Sequence, residues 1–155
     1  MNIYALTIIQ PYAHLIAIGR KRVENRCWPT RLRGPIAIHA GKARKYHGVP
    51  VGEIAEEDYS IDRAQLAFGA VIAIADLIAC VSREDIDRFA RSGTGMPTSL
   101  RWLVRHEHAE GPWCFVLDNI RPLELPIVVT GAQGFWKWQA PPDMSLLPAL
   151  ERRAS

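Results

Sequence analysis

The chain has 155 residues, of which 48% are hydrophobic and 23% are charged, a composition that fits one globular domain and excludes a disordered or fibrous protein. No apolar run reaches the roughly 20 residues that a membrane span needs, and the N-terminal residues lack the basic and apolar regions of a signal peptide. We therefore expect a cytoplasmic protein without a membrane segment.

Short strands separated by single short helices dominate the apolar pattern. The first predicted elements, in chain order, are a strand over 3–9, a helix from Pro11 to Gly19, strands over 22–28 and 35–40, and a helix over 52–59 within a polar stretch. They are followed by a strand over 68–81, a helix opened by Ser82, a helix over 99–107, a strand over 113–117 and an edge or irregular strand over 121–129. This order predicts a mainly β fold (α+β), mostly antiparallel, with a small barrel and short helices at its ends.

The domain limits follow from the same pattern. We expect one domain over residues 1–140 and a C-terminal tail over 141–155, which begins with a proline pair. The three cysteines are widely spaced and form no CxxC pair, so they predict buried free thiols rather than a disulfide framework or a zinc site. We expect neither a metal nor a cofactor.

Charge is distributed unevenly along the chain, although the net charge is only +3. Residues 1–48 contain nine Lys or Arg and one acid, Glu24, whereas residues 49–155 contain ten Lys or Arg and fifteen acids. One basic face on a single domain favours a polyanionic partner such as nucleic acid. The alternative is a surface whose charges balance in three dimensions, and charge alone does not choose between them.

The densest group of charges is the stretch GRKRVENRCW, residues 19–28. On a strand, Glu24 and Arg26 share one face and present an acceptor beside a donor fork, which can grip a base edge or a phosphate. Lys21 sits at the helix-to-strand junction, where it can meet a phosphate or, if desolvated, act as a base or nucleophile. The alternative is an exposed ion pair contributing roughly 0–1 kcal/mol, which spacing alone favours.

Other candidate site residues lie outside this stretch. In IHAGK, the glycine turn before Lys42 lets backbone N–H groups approach an anion, and His39 precedes it, although a lone histidine more often has a structural role. Trp28 and Trp136 have two readings: stacking on a nucleobase, which contributes roughly 1–3 kcal/mol, or core packing. His106 and His108 have no metal-ligand pattern around them, so we treat them as surface residues.

Five segments in fixed order resemble the ASCH domain family: LTIIQPYAHLIAIGRKRVENRCW, RGPIAIHAGK, FGAVIAIADLIACV, GPWCFVLDNIRPLELPI and GAQGFWKW. The family signature, helix-G-x-K-x-x-E-x-R, stands here as Gly19, Lys21, Glu24 and Arg26. The resemblance implies a PUA-like β-barrel whose cleft is lined by the signature. It also implies binding of RNA or other nucleic acids, or of modified bases.

The resemblance also raises an enzymatic alternative. Some small ASCH-like bacterial proteins resemble amidohydrolases that remove acetyl from acetylated cytidine with a lysine, a threonine three residues later and a downstream acid. Lys21 matches the lysine, but Glu24 stands where that branch has threonine, and the acid would be Glu84 or Asp85. Another member is a ribonuclease, which keeps RNA cleavage as a second form of this alternative.

The sequence therefore predicts a nucleic-acid-binding protein, with RNA favoured over DNA and a modified nucleotide as a further ligand. The predicted binding residues are Lys21, Glu24, Arg26, Trp28, His39, Lys42 and Trp136. If the protein is a hydrolase, Lys21 and Glu24 are the predicted catalytic residues. A third alternative is a basic face that docks an acidic protein partner.

Overall fold

A computed structural model describes residues 2–142 of the chain. Contacts group these residues into two compact units built from interleaved segments. The first unit comprises 2–20, 35–75 and 119–142, and the second comprises 21–34 and 76–118. Each unit has an apolar core of its own. The prediction of a single domain over 1–140 stays a prediction, and residues 143–155 of the predicted tail lie outside the described residues.

Strands outnumber helices among residues 2–142. The strands are β1 (Asn2–Ile8), β2 (Val23–Arg26), β3 (Gly34–Ala40), β4 (Lys45–Tyr46), β5 (Val49–Pro50), β6 (Ala70–Ser82), β7 (Trp113–Val128) and β8 (Phe135–Gln139). The helices are α1 (Tyr12–Ala17), α2 (Val51–Tyr59) and α3 (Arg83–Ser92), with 3₁₀ helices at Arg63–Gln65 and Thr98–Arg105. The predicted mainly β class with short helices is confirmed, whereas closure of the strands into a barrel stays a prediction.

β1 organises the first unit, because it pairs parallel with β3 and antiparallel with β8. The hydrogen-bonded order in this unit is β6, β3, β1, β8. A parallel pair needs a long connection, which the chain between β1 and β3 supplies. The polar stretch after β3 is structured: α2 buries Val51 and Ala55 against Leu15 of α1. The main core residues around β1 are Ile3, Ala5, Ala37, Val71, Ile74, Trp138 and Ala140.

The second unit is built on the antiparallel pair of β2 and β7, which runs from Val23 opposite Val116 to Arg26 opposite Trp113. α3 begins as its sequence predicts, since Ser82 Oγ accepts a hydrogen bond from the Asp85 N–H at 3.1 Å. The apolar residues buried between these elements and the second 3₁₀ helix include Val23, Val81, Ile86, Met96, Leu103, Cys114 and Val116.

Three predictions need correction. Residues 113–128 form one continuous strand instead of two, because β2 pairs only with the beginning of β7 and the prolines at 122 and 126 lie beyond that pairing. The helix predicted over 99–107 is a 3₁₀ helix. Buried thiols were predicted throughout, yet Cys27 is exposed and Cys80 is half-buried, and only Cys114 is fully buried.

Within residues 2–142, no helix combines the length and the apolar character needed to cross a membrane.

Candidate nucleotide-binding site

Lys21, Glu24 and Arg26 form a hydrogen-bonded cluster in the second unit, named here the ionic network. Lys21 Nζ lies 3.2 Å from Glu24 Oε1 and also donates to the carbonyl of Val23. Arg26 donates from one terminal nitrogen to Glu24 Oε2 at 2.9 Å. Both oxygens of one carboxylate are therefore occupied by cations, so the predicted pairing of Glu24 with Arg26 is confirmed.

The ionic network is buried, which the sequence did not predict. Lys21 is 3% exposed and Glu24 is 7% exposed, whereas the Arg26 side chain retains 22% exposure. An exposed ion pair, the alternative that spacing alone favours, is therefore wrong for Lys21 and Glu24. Burying charges costs several kcal/mol per ion unless pairing and hydrogen bonds offset the loss of hydration. The exposed edge of Arg26 leaves one side of this cluster in contact with solvent.

The backbone around β2 fixes the network. Val23 is fully buried and pairs with Val116 in the strand ladder, which anchors the strand between Lys21 and Glu24. The Asn25 N–H donates to Glu24 Oε1 at 3.2 Å. Both faces of β2 are covered at this point, because Val23 and Glu24 are consecutive and both buried.

Asn25 ties β2 to the loop that precedes β7. Its amide nitrogen donates to the His108 carbonyl at 2.7 Å, and its amide oxygen accepts from the N–H groups of Glu110 at 3.1 Å and Gly111 at 2.8 Å. A Cβ atom at Gly111 would lie only 2.5 Å from the Asn25 Cβ, so this close approach requires glycine. The loop and the strand that carries the ionic network are therefore held together by one side chain.

Trp28 follows the ionic network on the same segment. Its ring meets Phe115 edge to face, with centroids 5.2 Å apart and planes at 71°, and Trp28 is half-buried. Phe115 is fully buried and lies opposite Glu24 in the strand ladder. Trp28 therefore packs against Phe115, the residue that lies opposite Glu24 in the strand ladder.

His39 belongs to a second cluster, in the first unit, which we name the neutral relay. His39 Nε2 lies 2.7 Å from the carbonyl oxygen of Val129, and its Nδ1 lies 3.1 Å from Thr7 Oγ1. Trp136 Nε1 donates to the same Thr7 oxygen at 3.1 Å. Because a carbonyl only accepts, Nε2 carries the proton, and the Thr7 hydroxyl accepts from Trp136 and donates to Nδ1. Each polar group in the neutral relay has a matching partner.

The surroundings of His39 in the neutral relay favour its uncharged form. Burial lowers the pKa of His39, the nearby charge of Lys42 lowers it further, and the hydrogen bond to Val129 acts in the opposite direction. His39 is only 1% exposed. Lys42 is exposed, and its aliphatic stem crosses Gly69, where a Cβ atom would lie 2.9 Å from Lys42 Cε. His39 therefore orients Trp136 and Thr7 in this arrangement.

The predicted site residues thus fall into two groups. The second unit contains Lys21, Glu24, Arg26 and Trp28, and the first unit contains His39, Lys42 and Trp136. Contacts join the first three residues of one group and join His39 to Trp136 in the other. Their roles in binding stay predictions.

Sequence reasoning missed Arg22, and it placed both His106 and His108 on the surface. His108 is buried, and His106 is half-buried with its Nε2 accepting from the Arg22 N–H at 3.1 Å. The Arg22 guanidinium lies over the Trp102 ring, 4.4 Å from its centroid. The contact joins positions 22 and 106, which no local pattern links. The downstream acids Glu84 and Asp85 both pair with Arg88 on α3, where they are well exposed.

The comparison with protein families identifies the chain's class. The sequence model of the ASCH domain family matches residues 6–124, which is more than half of the chain. The chain belongs to the ASCH domain family, as the resemblance in its sequence predicted. ASCH domains are associated with nucleic-acid binding.

Individual relatives are more distant. Human activating signal cointegrator 1 is 25% identical over 141 residues, which are 86% of this chain and 22% of that protein. The chain therefore spans about a fifth of the length of this curated relative. The ASCH crystal structure from Zymomonas mobilis is 19% identical with a TM-score of 0.45, covering 81% of this chain and 73% of the other. A crystal structure of a point mutant of the Zymomonas mobilis protein is 21% identical with a TM-score of 0.44, covering 81% of this chain and 72% of the other.

Proposed function

We propose that this protein binds single-stranded RNA or a modified nucleotide through the ionic network and Trp28. The observation that carries the proposal is the burial of Lys21 and Glu24 beside a partly exposed Arg26. A buried ion pair is a weak source of stability, since apolar residues of similar volume often stabilise a fold as well or better. A cluster of this kind is better explained by a ligand that uses its charges.

The chemistry of the network suits a nucleotide. Arg26 offers a planar donor fork that can meet a phosphate or the acceptor edge of a base. Glu24 can accept a hydrogen bond from an exocyclic amine, as carboxylates do with cytosine. Trp28 offers an aromatic surface of the type that stacks on a base. In this proposal, the ligand contacts the second unit through these three side chains.

One observation favours the hydrolase alternative. Lys21 Nζ and Glu24 Oε1 are 3.2 Å apart, close to the distance over which a proton is transferred. However, two of the three N–H groups of a lysine ammonium are already used in the contacts with Val23 and Glu24. Lys21 is also only 3% exposed, so a substrate has little access to its amine, and binding remains the preferred function.

The binding proposal is tested with a fluorescently labelled oligouridylate of about 12 nucleotides. Its affinity for the protein is measured by fluorescence anisotropy at low and high salt. The Arg26→Gln variant removes the partly exposed cation and leaves the contact between Lys21 and Glu24. We expect it to weaken binding about tenfold, because a hydrogen bond between charged groups contributes ~1.5 kcal/mol. Arg33→Gln is the matched control, since Arg33 is exposed in the same unit and donates to backbone carbonyls.

The proposal is wrong if no oligonucleotide binds at low salt, or if Arg26→Gln binds as well as the Arg33→Gln control. Mass spectrometry of nucleotides that copurify with the protein gives an independent test of the ligand. Incubation with acetylated cytidine and with RNA tests the hydrolase alternative. Turnover that is lost in Lys21→Met, with the variant shown to be folded, would replace binding by catalysis as the function.

A further inference from the structure

A second basic surface lies in the second unit, outside the ionic network. α3 and the second 3₁₀ helix border an open groove of about 750 Å³. The residues that define its character are Phe89, Arg101, Trp102, Arg105 and His106, and none of the described residues lining it is acidic. We name this feature the arginine groove. Its composition is that of a surface that attracts anions.

Aromatic rings contact two arginines here: Arg101, which lines the arginine groove, and Arg22, which lies against the groove residue Trp102. The Arg101 guanidinium lies 5.4 Å from the centroid of Phe89, and that of Arg22 lies 4.4 Å from the centroid of Trp102. Arg101 also donates from Nε to the carbonyl of Met96 at 3.2 Å. A guanidinium that contacts the face of a ring can still donate from its other N–H groups, and holding it in advance reduces the entropy lost when it binds an anion.

The carboxylates around the arginine groove leave much of its charge unbalanced. Arg22 meets Asp118 at 3.5 Å, with both side chains substantially exposed, so the contact is weak and a phosphate can replace it. Glu107 meets His108 instead. Arg105 is exposed and forms no ion pair within residues 2–142. The groove therefore keeps an excess of positive charge.

The arginine groove adjoins the ionic network along the chain. His106, which lines the groove, accepts the N–H of Arg22 at 3.1 Å, and Arg22 directly follows Lys21. The His106 ring also meets Trp102 edge to face, with centroids 5.2 Å apart. A chain of contacts thus joins the two features within one unit.

We propose that the arginine groove binds the sugar–phosphate backbone of the RNA strand whose base or end nucleotide the ionic network holds. Arg101 and Arg105 contact consecutive phosphates, and Arg22 supports the junction between the groove and the network. This inference rests on the proposed function, since it extends the footprint of the same ligand. It predicts that affinity depends on strand length, because a dinucleotide reaches only the ionic network.

The test compares two double variants of equal charge. Arg101→Gln with Arg105→Gln alters the groove, and Arg88→Gln with Arg91→Gln removes two arginines of α3 that do not line it. Binding of an oligouridylate of about 12 nucleotides is measured directly, and binding of the dinucleotide UpU is measured by competition. If the groove variant loses two phosphate contacts to a single strand, the slope of log affinity against log salt concentration should decrease in magnitude by about 1.4. The affinity at ~0.1 M salt should then fall by about 25-fold.

We expect this loss for the longer strand in the groove variant only, with UpU binding unchanged. Equal losses in the groove and control variants, or equal losses for both strand lengths, overturn the inference while leaving the proposed function intact. Failure of the unaltered protein to bind either RNA overturns the proposed function first, and the inference with it. Circular dichroism of each variant establishes that a lost affinity comes from a folded protein.

Discussion

The ionic network and the neutral relay are both buried polar clusters, yet their hydrogen bonds are arranged differently. In the neutral relay, Trp136 donates to Thr7, Thr7 donates to His39, and His39 donates to a backbone carbonyl. Every donor has one acceptor, and no charge is involved. In the ionic network, two cations share one carboxylate, and Arg26 retains access to solvent.

The difference separates a structural role from a binding role. A closed chain of neutral hydrogen bonds stabilises the fold and has little left to offer to a ligand. A buried cluster with more cations than carboxylates has a positive charge that an anion can complement. We therefore propose that the neutral relay positions Trp136 and that the ionic network recognises the ligand.

The largest effect that tests this comparison is expected from Lys21→Met. The substitution keeps the volume but leaves Glu24 buried with one cation fewer, so the free energy of unfolding should fall by about 3 kcal/mol. Adding Glu24→Gln removes the carboxylate charge as well and should recover much of the loss. Urea denaturation measures both variants. If the double variant is as unstable as the single one, charge imbalance is not the cause.

Thr7→Val breaks the neutral relay without changing side-chain volume. It removes the oxygen that accepts from Trp136 and the hydroxyl that donates to His39, which should cost about 2 kcal/mol of stability. RNA affinity at a temperature where the variant is folded should not change, because the relay is assigned a structural role. Thr7→Ser keeps the hydroxyl and should retain most of the stability. A tighter or weaker RNA complex for Thr7→Val alone would contradict the comparison.

Acid should destabilise both units through their histidines. Burial lowers the pKa of His39 and of His106, and the positive charges of Lys21 and Arg22 lower that of His106 further. The unfolded chain binds these protons more readily than the folded protein does. The contribution of the two histidines to the free energy of unfolding is therefore fully present above about pH 6.5 and is lost as the pH decreases below it. Denaturation midpoints at several pH values measure the effect.

The variants His39→Gln and His106→Gln assign that pH dependence to a unit. Each should remove part of the acid destabilisation, since each deletes one group whose pKa is lowered by burial. A midpoint that rises as the pH falls from neutrality would show the opposite sign. Equal pH profiles for both variants and the unaltered protein would exclude His39 and His106 as the cause of the acid destabilisation.

Arg88→Gln should have the smallest effect. Arg88 pairs with Glu84 at 3.1 Å and with Asp85 at 3.0 Å, but these side chains are half or more exposed. Pairs of this kind contribute less than about 1 kcal/mol and are screened by salt. The comparison with Lys21→Met, measured in the same denaturation series, isolates the effect of burial. A loss in Arg88→Gln equal to that in Lys21→Met would show that burial does not distinguish these ion pairs.

Local patterns were sufficient for most of the fold. The β-branched run at 3–9 and the serine before α3 each correspond to the observed element, because strand and helix-start signals depend on neighbouring residues. The prolines of β7 predict a break between two strands, because the sequence does not show that the pairing with β2 ends before them. The register of distant strands is not written in any short stretch of sequence.

The candidate site was predicted in part for the same reason. Glu24 and Arg26 are two residues apart, so their contact followed from strand geometry. The burial of Lys21 and Glu24 depends on tertiary packing, which a short stretch of sequence does not encode. The contact of Arg22 with His106 joins positions that are far apart in sequence, and it required the structure.

The single side chain of Asn25 has a consequence for how this sequence can vary among its relatives. It supplies one donor and one acceptor that serve His108, Glu110 and Gly111 at once, and Gly111 admits it only because it lacks a Cβ. Aspartate lacks the donor, and glutamine is longer by one methylene. Positions 25 and 111 should therefore change together or not at all, and an alignment of ASCH domains should show them as a covarying pair.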